Sequence, residues 1–222
     1  MVTVPSLSMV RIVLLAIALT LAAGGAFPDA PKSREEALAQ LKSGQATGRM
    51  EAIVWLANYG SMADTGLLEG RLRDESPGVR EYAERALWAL WSRSGERAID
   101  ELMARGVGEM QAGEHKAAIA TFSQVVKRKP DFAEGWNKRA TAYYLAGDFK
   151  RSIADCDEVL KRNPHHFGAL SGLGQMYYEL QDYEKSLAWY NRALAVNPNM
   201  AGVALNAKAL ESMIREKKGK SI

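Results

Sequence analysis

The chain has 222 residues, with 29 lysines and arginines against 26 aspartates and glutamates. The resulting net charge of +3 is spread along the chain, so the composition does not predict a surface dedicated to nucleic acid or another polyanion. The single cysteine, Cys156, excludes an internal disulfide. Its helical spacing from apolar residues indicates a small buried side chain rather than a redox or catalytic thiol.

The first 26 residues have the organisation of a secretory signal. Arg11 precedes an apolar run over residues 12–23, and three small residues ending at Ala26 follow it. An apolar helix of this length reaches roughly 18 Å, well short of the ~30 Å hydrocarbon core of a bilayer. We therefore expect cleavage after Ala26 and export of the protein. An uncleaved membrane anchor is the alternative, and Met9 competes with Met1 as the true start.

Residues 27–33 are expected to be an extended lead-in, and residues 34–95 a helical region. Its clearest helix is predicted from Pro77 to Ser92, where apolar residues recur with the spacing of one buried face. Ser76 and Pro77 are typical of a helix start. Earlier helices are predicted over Arg34–Lys42, Gly48–Tyr59 and Asp64–Arg73. Trp55, Trp88 and Trp91 are expected in the core rather than at an interface.

The end of this region resembles a HEAT repeat. The resemblance is carried by Leu72-Arg73-Asp74, Val79-Arg80 and Ala86-Leu87. It implies HEAT-like helical hairpins in which the turn aspartate and the arginine of the second helix support stacking. We expect residues 34–95 to form two hairpins that stack on the repeats that follow and cover the exposed end of the first one.

Three prolines mark an internal repeat in the second half of the chain. Pro130, Pro164 and Pro198 recur at one constant interval. Their spacing defines three units: 99–132, 133–166 and 167–200. The interval is about 34 residues, a period that is typical of stacked helical hairpins.

Equivalent positions of the three units share their chemistry. Small residues at positions 8 and 20 predict close helix crossings, and larger ones recur at position 24. The glycines in the first two turns between helices can take a left-handed conformation, and in all three turns an acid that can cap the next helix follows. The sets are Gly106, Ala140, Gly174; Ala118, Ser152, Ser186; Phe122, Cys156, Tyr190; and Gly113-Glu114, Gly147-Asp148, Gln181-Asp182.

These residues resemble the tetratricopeptide repeat (TPR) pattern. The second unit carries it with Trp136, Ala140, Tyr143 and Pro164, and the third with Leu173-Gly174, Tyr177 and Pro198. The segments Trp136–Tyr144 and His165–Gly174 are similar to a group of secreted bacterial TPR proteins of unassigned role. The resemblance implies an all-α, right-handed superhelical solenoid of helical hairpins. It also implies a location in the bacterial cell envelope, periplasmic or secreted.

The ends of the solenoid are expected to be polar. Residues 201–217 are predicted to form the capping helix that a solenoid needs for solubility. Residues 218–222 are expected to be a flexible basic tail. Gly168, Gly172 and Gly174 lie together on the first helix of the third unit, and we expect them to pack closely against the second helix of the preceding unit.

In TPR proteins, ligands lie along positions 2, 5, 9 and 12 of the first helices, on the concave side. We expect a partner protein to bind there as an extended or helical segment. The alternative is that these side chains fill an unoccupied groove or contact the amino-terminal hairpins. The expected ligand-binding residues are Met103, Val107 and Met110 in the first unit, Asn137, Thr141 and Tyr144 in the second, and Ser171, Gln175 and Tyr178 in the third.

The carboxylate clamp of chaperone-docking TPR proteins is missing from this sequence. Its lysine, arginine and asparagine positions correspond here to Met103, Val107, Lys138, Gly168 and Gly172. An acidic carboxyl-terminal peptide is therefore not expected as a ligand.

We predict no catalytic residue, cofactor or metal. His165 and His166 are adjacent and point in different directions, so they do not form a metal site. The basic runs Lys127–Lys129 and Lys161-Arg162 end second helices, where cations complement the helix dipole, and we expect no nucleic-acid partner. The sequence thus predicts a non-catalytic interaction scaffold. The alternatives are a solenoid that self-associates through its ends or through Trp88 and Trp91, and a membrane-anchored assembly factor.

Overall fold

A computed structural model describes residues 30–219 of the chain. The predicted signal segment, residues 27–29 of the lead-in and residues 220–222 lie outside the described residues. Within residues 30–219 the chain forms helices only. These are α1 (Arg34–Gln40), α2 (Ala46–Tyr59), a short 3-10 helix (Met62–Asp64), α3 (Thr65–Arg71), α4 (Pro77–Trp91), α5 (Arg97–Gln111), α6 (His115–Arg128), α7 (Ala133–Leu145), α8 (Phe149–Arg162), α9 (Phe167–Glu179), α10 (Tyr183–Val196) and α11 (Ala201–Gly219).

The helices of the second half pair as three antiparallel hairpins: α5 with α6, α7 with α8, and α9 with α10. The second helix of each hairpin also packs against the first helix of the next unit, so the hairpins form a continuous stack ending at α11. The predicted all-α solenoid of helical hairpins is therefore confirmed. No helix within residues 30–219 has the length and apolar character required to cross a bilayer.

Each hairpin closes on the contact between positions 8 and 24. A Cβ added at Gly106 would lie 2.6 Å from Cε1 of Phe122, and one added at Gly174 would lie 2.4 Å from Cδ1 of Tyr190. Both distances are shorter than van der Waals contact, so the rings occupy the space that any side chain would need. The requirement for small residues at position 8 follows directly from this crossing.

Position 20 has a polar role that its small size does not reveal. The hydroxyl groups of Ser152 and Ser186 each donate a hydrogen bond of 2.7 Å across the hairpin, to the carbonyl oxygens of Ala140 and Gly174 respectively. Both serines are buried. In the first unit, Ala118 stands at this position and has no hydroxyl to donate, so that hairpin lacks the bond.

The turns between the two helices adopt the left-handed conformation, as predicted for the two glycines and not foreseen for Gln181. The φ angles are 78° at Gly113, 77° at Gly147 and 60° at Gln181. The side chains of Asp148 and Asp182 then cap the next helix by accepting a backbone N–H, whereas Glu114 makes no such bond. Gln181 is thus a residue with a Cβ in a conformation that favours glycine.

The amino-terminal helices have their own core, formed mainly by α1 to α4. The guanidinium of Arg49 pairs with both carboxylate oxygens of Asp74, at 2.8 and 2.7 Å, and Arg49 is itself buried. The aspartate in the turn between α3 and α4 therefore holds helix α2. Arg80 instead donates to the backbone oxygens of Asp74 and Glu75 and to the side chain of Asn199.

The expected stacking on the end of the first repeat is wrong. The amino-terminal core includes Phe167, with Val196 and Met200 packed against it, whereas the core of the first repeat begins at Ile99 and includes no earlier residue. The amino-terminal helices lie along the edge formed by the turns between successive units. The contacts that fix them there are Glu69 with His165, Arg73 with the carbonyls of Ala195 and Val196, Glu84 with Asn197, and Arg80 with Asn199.

An aromatic contact anchors this docking. The imidazole of His166 stacks on Trp91, with ring centroids 4.5 Å apart, and meets Trp88 edge-on at 5.3 Å. Its Nδ1 accepts the N–H of Ala169, so its Nε2 carries the proton that is donated to Glu134 at 3.1 Å. Of the three tryptophans expected in the core, Trp91 is buried, while Trp55 and Trp88 are partly buried against that core.

Two of the three grouped glycines have partners other than the predicted one. A Cβ at Gly168 would lie 2.5 Å from Cη2 of Trp88, in the amino-terminal region. Gly174 faces Tyr190 of its own hairpin. Only Gly172 faces the preceding second helix, and there at an ordinary 3.9 Å from Sγ of Cys156. The docking of α4, which has no counterpart in the repeat pattern, explains Gly168.

The left-handed turns generate a matched pair of stability predictions. Replacing Gln181 with Gly removes a conformation unfavourable to a side chain, so we expect a gain of about 0.5–1 kcal/mol in the free energy of unfolding. Replacing Gly147 with Ala introduces the same cost and should lose about 1 kcal/mol, although a Cβ there meets no other atom within 4 Å. Urea denaturation measures both. A loss of stability in Gln181→Gly would contradict this account.

Buried Glu134 generates a prediction for pH. Burial acts to raise its pKa, but the charge of Lys138 and the hydrogen bond from His166 outweigh it, and the pKa falls from 4.5 to about 2. A carboxyl group whose pKa is lower in the folded than in the unfolded state stabilises the protein at pH values above its unfolded-state pKa. We therefore expect a contribution of about 3 kcal/mol that is complete above pH 4.5 and lost as the pH falls from 4.5 to about 2.

The test compares the wild type with Glu134→Gln by urea unfolding at pH 7, 4 and 3. The variant should be less stable at pH 7, and the difference should shrink as the pH falls. Glu184→Gln, at an exposed glutamate on α10, is the control and should follow the wild type. A constant difference between wild type and Glu134→Gln at all three pH values would contradict the prediction.

Candidate binding groove

The first helices of the three hairpins form the inner face of the solenoid. Helix α7 lies in contact with both α5 and α9, whereas the second helices make no comparable contacts with one another within the described residues. Closer spacing of the first helices curves the stack toward them. The inner face of α5, α7, α9 and the capping helix α11 is called the groove below.

Three of the nine predicted ligand-binding residues are buried and do not present their side chains to a partner. Met103 and Met110 belong to the core of the first repeat, which also includes Ala142 of the neighbouring helix α7. Asn137 donates a hydrogen bond of 3.0 Å to Oε2 of Glu134. The two methionines thus pack toward the adjacent first helix, whereas Asn137 is held within its own helix.

The other six predicted residues are partly exposed. They are Val107, Thr141, Tyr144, Ser171, Gln175 and Tyr178. Two of them satisfy their hydroxyl groups within their own helix, since Thr141 donates to the carbonyl of Asn137 and Ser171 to that of Gly168. The polar groups left to meet a partner are therefore concentrated on the tyrosines and on Gln175.

A hydrogen-bonded cluster lies in the middle of the groove. Gln175 accepts from the hydroxyl of Tyr190 at 2.9 Å and donates to Oε1 of Glu179 at 2.8 Å. Burial and the nearby charge of Glu179 raise the pKa of Tyr144, and burial raises that of Tyr190. Both tyrosines thus keep their protons at neutral pH. The cluster fixes the orientation of the Gln175 amide and of the Glu179 carboxylate.

The sequence analysis missed the continuation of the groove on α11. Leu205, Ala209 and Ser212 follow Ser171, Gln175 and Tyr178 by one repeat period, and all three are exposed. The opposite, buried side of α11 packs against the last hairpin through Ala207 and Leu210. Extending the repeat register past the last proline would have identified these positions. The predicted capping helix is thus also a fourth strip of the groove.

The amino-terminal helices close the groove at the start of its helices. Trp88 packs on Gly168, which occupies position 2 of α9. At the same position of α7, Glu134 is fully buried and pairs with Lys138 Nζ at 2.9 Å. Lys138 is the one basic residue among the positions that correspond to the carboxylate clamp. Its charge is therefore compensated within the protein. The part of the groove accessible to a partner runs from position 5 to the ends of the first helices.

The groups considered for chemistry are held in structural contacts. Cys156 is buried, and burial together with the charges of Asp155 and Asp157 raises the pKa of its thiol. His165 pairs with Glu69 at 2.7 Å, away from buried His166. Within residues 30–219, no three histidine, cysteine or carboxylate side chains cluster as metal ligands.

Comparison with known sequences and structures agrees with this architecture. Residues 103–164 and 146–201 match the family profile described as "Tetratricopeptide repeat". Comparison with curated proteins gave no match.

Among solved structures, the Sgt2 TPR domain from Aspergillus fumigatus aligns with a TM-score of 0.53 at 21% identity, over 55% of this chain and 83% of that domain. The first TPR of Spaghetti (RPAP3), bound to the HSP90 peptide SRMEEVD, aligns with a TM-score of 0.51 at 21% identity, over 53% of this chain and 93% of that one. The MamA protein aligns over 72% of this chain and 88% of its own, with a TM-score of 0.50 and 16% identity. At these identities the similarity shows the fold. Through residues 103–201, this chain therefore belongs to the tetratricopeptide repeat family.

Proposed function

We propose that this protein is a non-catalytic scaffold that binds a segment of a partner protein in the groove. The observation that carries the proposal is the partly exposed row of Val107, Thr141, Tyr144, Gln175 and Tyr178 on an inner face that residues 30–219 leave open. Tyrosine supplies a large contact area with a polar tip.

The solved structures lend indirect support to this proposal. The Spaghetti (RPAP3) repeat was solved with an HSP90 peptide, and the TPR2B domain of yeast Sti1 with pHsp70. The same architecture therefore holds peptides in other proteins. The ligand of this chain differs in our proposal, since Lys138 is paired with Glu134 and the other clamp positions hold no cation.

We further propose that the protein acts in the bacterial cell envelope, after removal of the segment that ends at Ala26. The support is the order of basic, apolar and small residues in the sequence. Intact-mass measurement of the protein from its own host, with fractionation of the cells, tests both points. A mature chain beginning at Phe27 in the envelope fraction is expected, and a cytoplasmic protein that retains the signal would contradict the proposal.

Self-association through Trp88 and Trp91 receives no support, because both residues contact His166 and Phe167 of the same chain. The ends of the solenoid remain available for it. Light scattering at several protein concentrations distinguishes this alternative from a scaffold that binds a different protein.

Site-specific photocrosslinking in the host tests groove binding. A photoreactive residue at Thr141 or Leu205 should give an adduct with a partner protein, and one at exposed Arg192, on the second helix of the third repeat, should not. Combining Tyr144→Ala with Tyr178→Ala should reduce the adduct at least about tenfold, because two large contact side chains are lost. Tyr59→Ala, which removes a tyrosine that is 72% exposed outside the groove, is the control and should leave it unchanged.

The same variants allow a genetic test in a deletion strain. The double tyrosine variant should fail to restore the phenotype that the wild type restores, while Tyr59→Ala restores it fully. Full rescue by the double variant, together with equal crosslinking at Thr141 and Arg192, would overturn the proposal.

A further inference from the structure

We propose that the segment bound in the groove is extended and carries a lysine or arginine opposite Glu179, with an apolar side chain on each side of it. This inference rests on the proposed function and specifies the partner. It follows from the charge of the groove, the way Glu179 is held, and the residues at the same position of the neighbouring helices.

At repeat positions 5, 9, 12 and 13 of α5, α7, α9 and α11, Glu179 is the one charged residue. Lys138 is neutralised by Glu134 at 2.9 Å. The remaining groove positions on α5, α7 and α11 hold uncharged residues, among them Val107, Thr141 and Leu205. Glu179 is exposed, and no lysine or arginine within residues 30–219 forms an ion pair with it. A carboxylate that is not paired with a cation of its own chain favours a cation from the ligand.

Glu179 is also held in a fixed orientation. Its Oε1 accepts the hydrogen bond from Gln175, whose own oxygen is fixed by Tyr190. Tyr144 lies close enough for the charge of Glu179 to affect its pKa. A carboxylate oriented before binding loses less side-chain entropy when it pairs with a cation.

Exposed apolar side chains lie on both sides of Glu179. Leu145 occupies the same repeat position on α7, and Met213 occupies it on α11, each one repeat period away. They are 39% and 41% exposed, and Leu180, next to Glu179, is 51% exposed. This repeat position is therefore apolar on α7, acidic on α9 and apolar on α11.

The spacing of these helices sets the register of the ligand. Helices α7 and α9 are in contact, and packed helices lie about 9 Å apart. Helix α11 continues the same repeat register by one further period. A polyproline-type extended segment advances about 9 Å every three residues and returns its side chains to the same face. A segment with apolar, basic and apolar residues three apart therefore matches Leu145, Glu179 and Met213 in turn.

Selection from a random library of twelve-residue peptides, displayed on phage, tests the inference with the protein purified from its host. Peptides enriched on the wild type should carry lysine or arginine with apolar residues three positions before and after it. Binding of an enriched synthetic peptide is then measured by fluorescence anisotropy. Glu179→Gln should weaken it about fivefold, the range of one exposed ion pair, and Glu184→Lys, on the exposed side of α10, should not change it.

Glu179→Lys provides the sharpest outcome. Selection on this variant should enrich acidic peptides in place of basic ones. Enrichment of acidic or uncharged peptides on the wild type, with binding that is lost in the double tyrosine variant but unaffected by Glu179→Lys, would overturn the inference and leave the proposed groove function standing. If no peptide is enriched on either protein and crosslinking in the host finds no groove adduct, the proposed function fails as well.

Discussion

The contact between a glycine or alanine on the first helix and a larger side chain on the second, repeated in every hairpin, sets the geometry of the solenoid. At Gly106 and Gly174 the partner ring occupies the volume of a Cβ, so the two backbones come as close as sterics allow. Cys156 is the equivalent partner of Ala140 and packs in the same core. Close hairpins place the first helices beside one another. The groove exists because this crossing recurs at a period that does not change along the chain.

The parts of the fold that depend on this period could be predicted from the sequence. Helix pairs, left-handed turns and small crossing residues are all local or periodic, and each appears where its residues predict it. The same register failed at Met103, Met110 and Asn137, because it identifies which side of a helix is inward but not how closely the next helix covers it. The burial of side chains between neighbouring first helices depends on the distance between those helices. The sequence of a single helix does not determine that distance.

The docking of the amino-terminal helices could not be predicted in this way. It joins residues far apart in the chain, such as Glu69 with His165 and Asn197 with Glu84, through side chains that occur once and obey no repeat. Two local signals did exist. Gly168 is a glycine at a position where the repeat pattern does not require a small residue. Glu134 is an acid that becomes fully buried. Trp88 packs on Gly168, and Glu134 binds His166, on which Trp91 stacks, but neither signal identifies its partner without the coordinates.

The net charge of a chain says little about the charge of its binding surface, and this protein illustrates why. The excess of basic residues gives +3 overall, yet the cations near the repeats are held at the edges and in the core, as with Lys129 on Glu96 and Arg139 on Asp155. The charge of Lys138 is neutralised by Glu134, because a buried carboxylate needs a cation close to it. This pair within α7 thus removes a positive charge from the groove, while the docking of the amino-terminal helices closes one side of it. Glu179 therefore remains as the charged residue among the groove positions of the first helices.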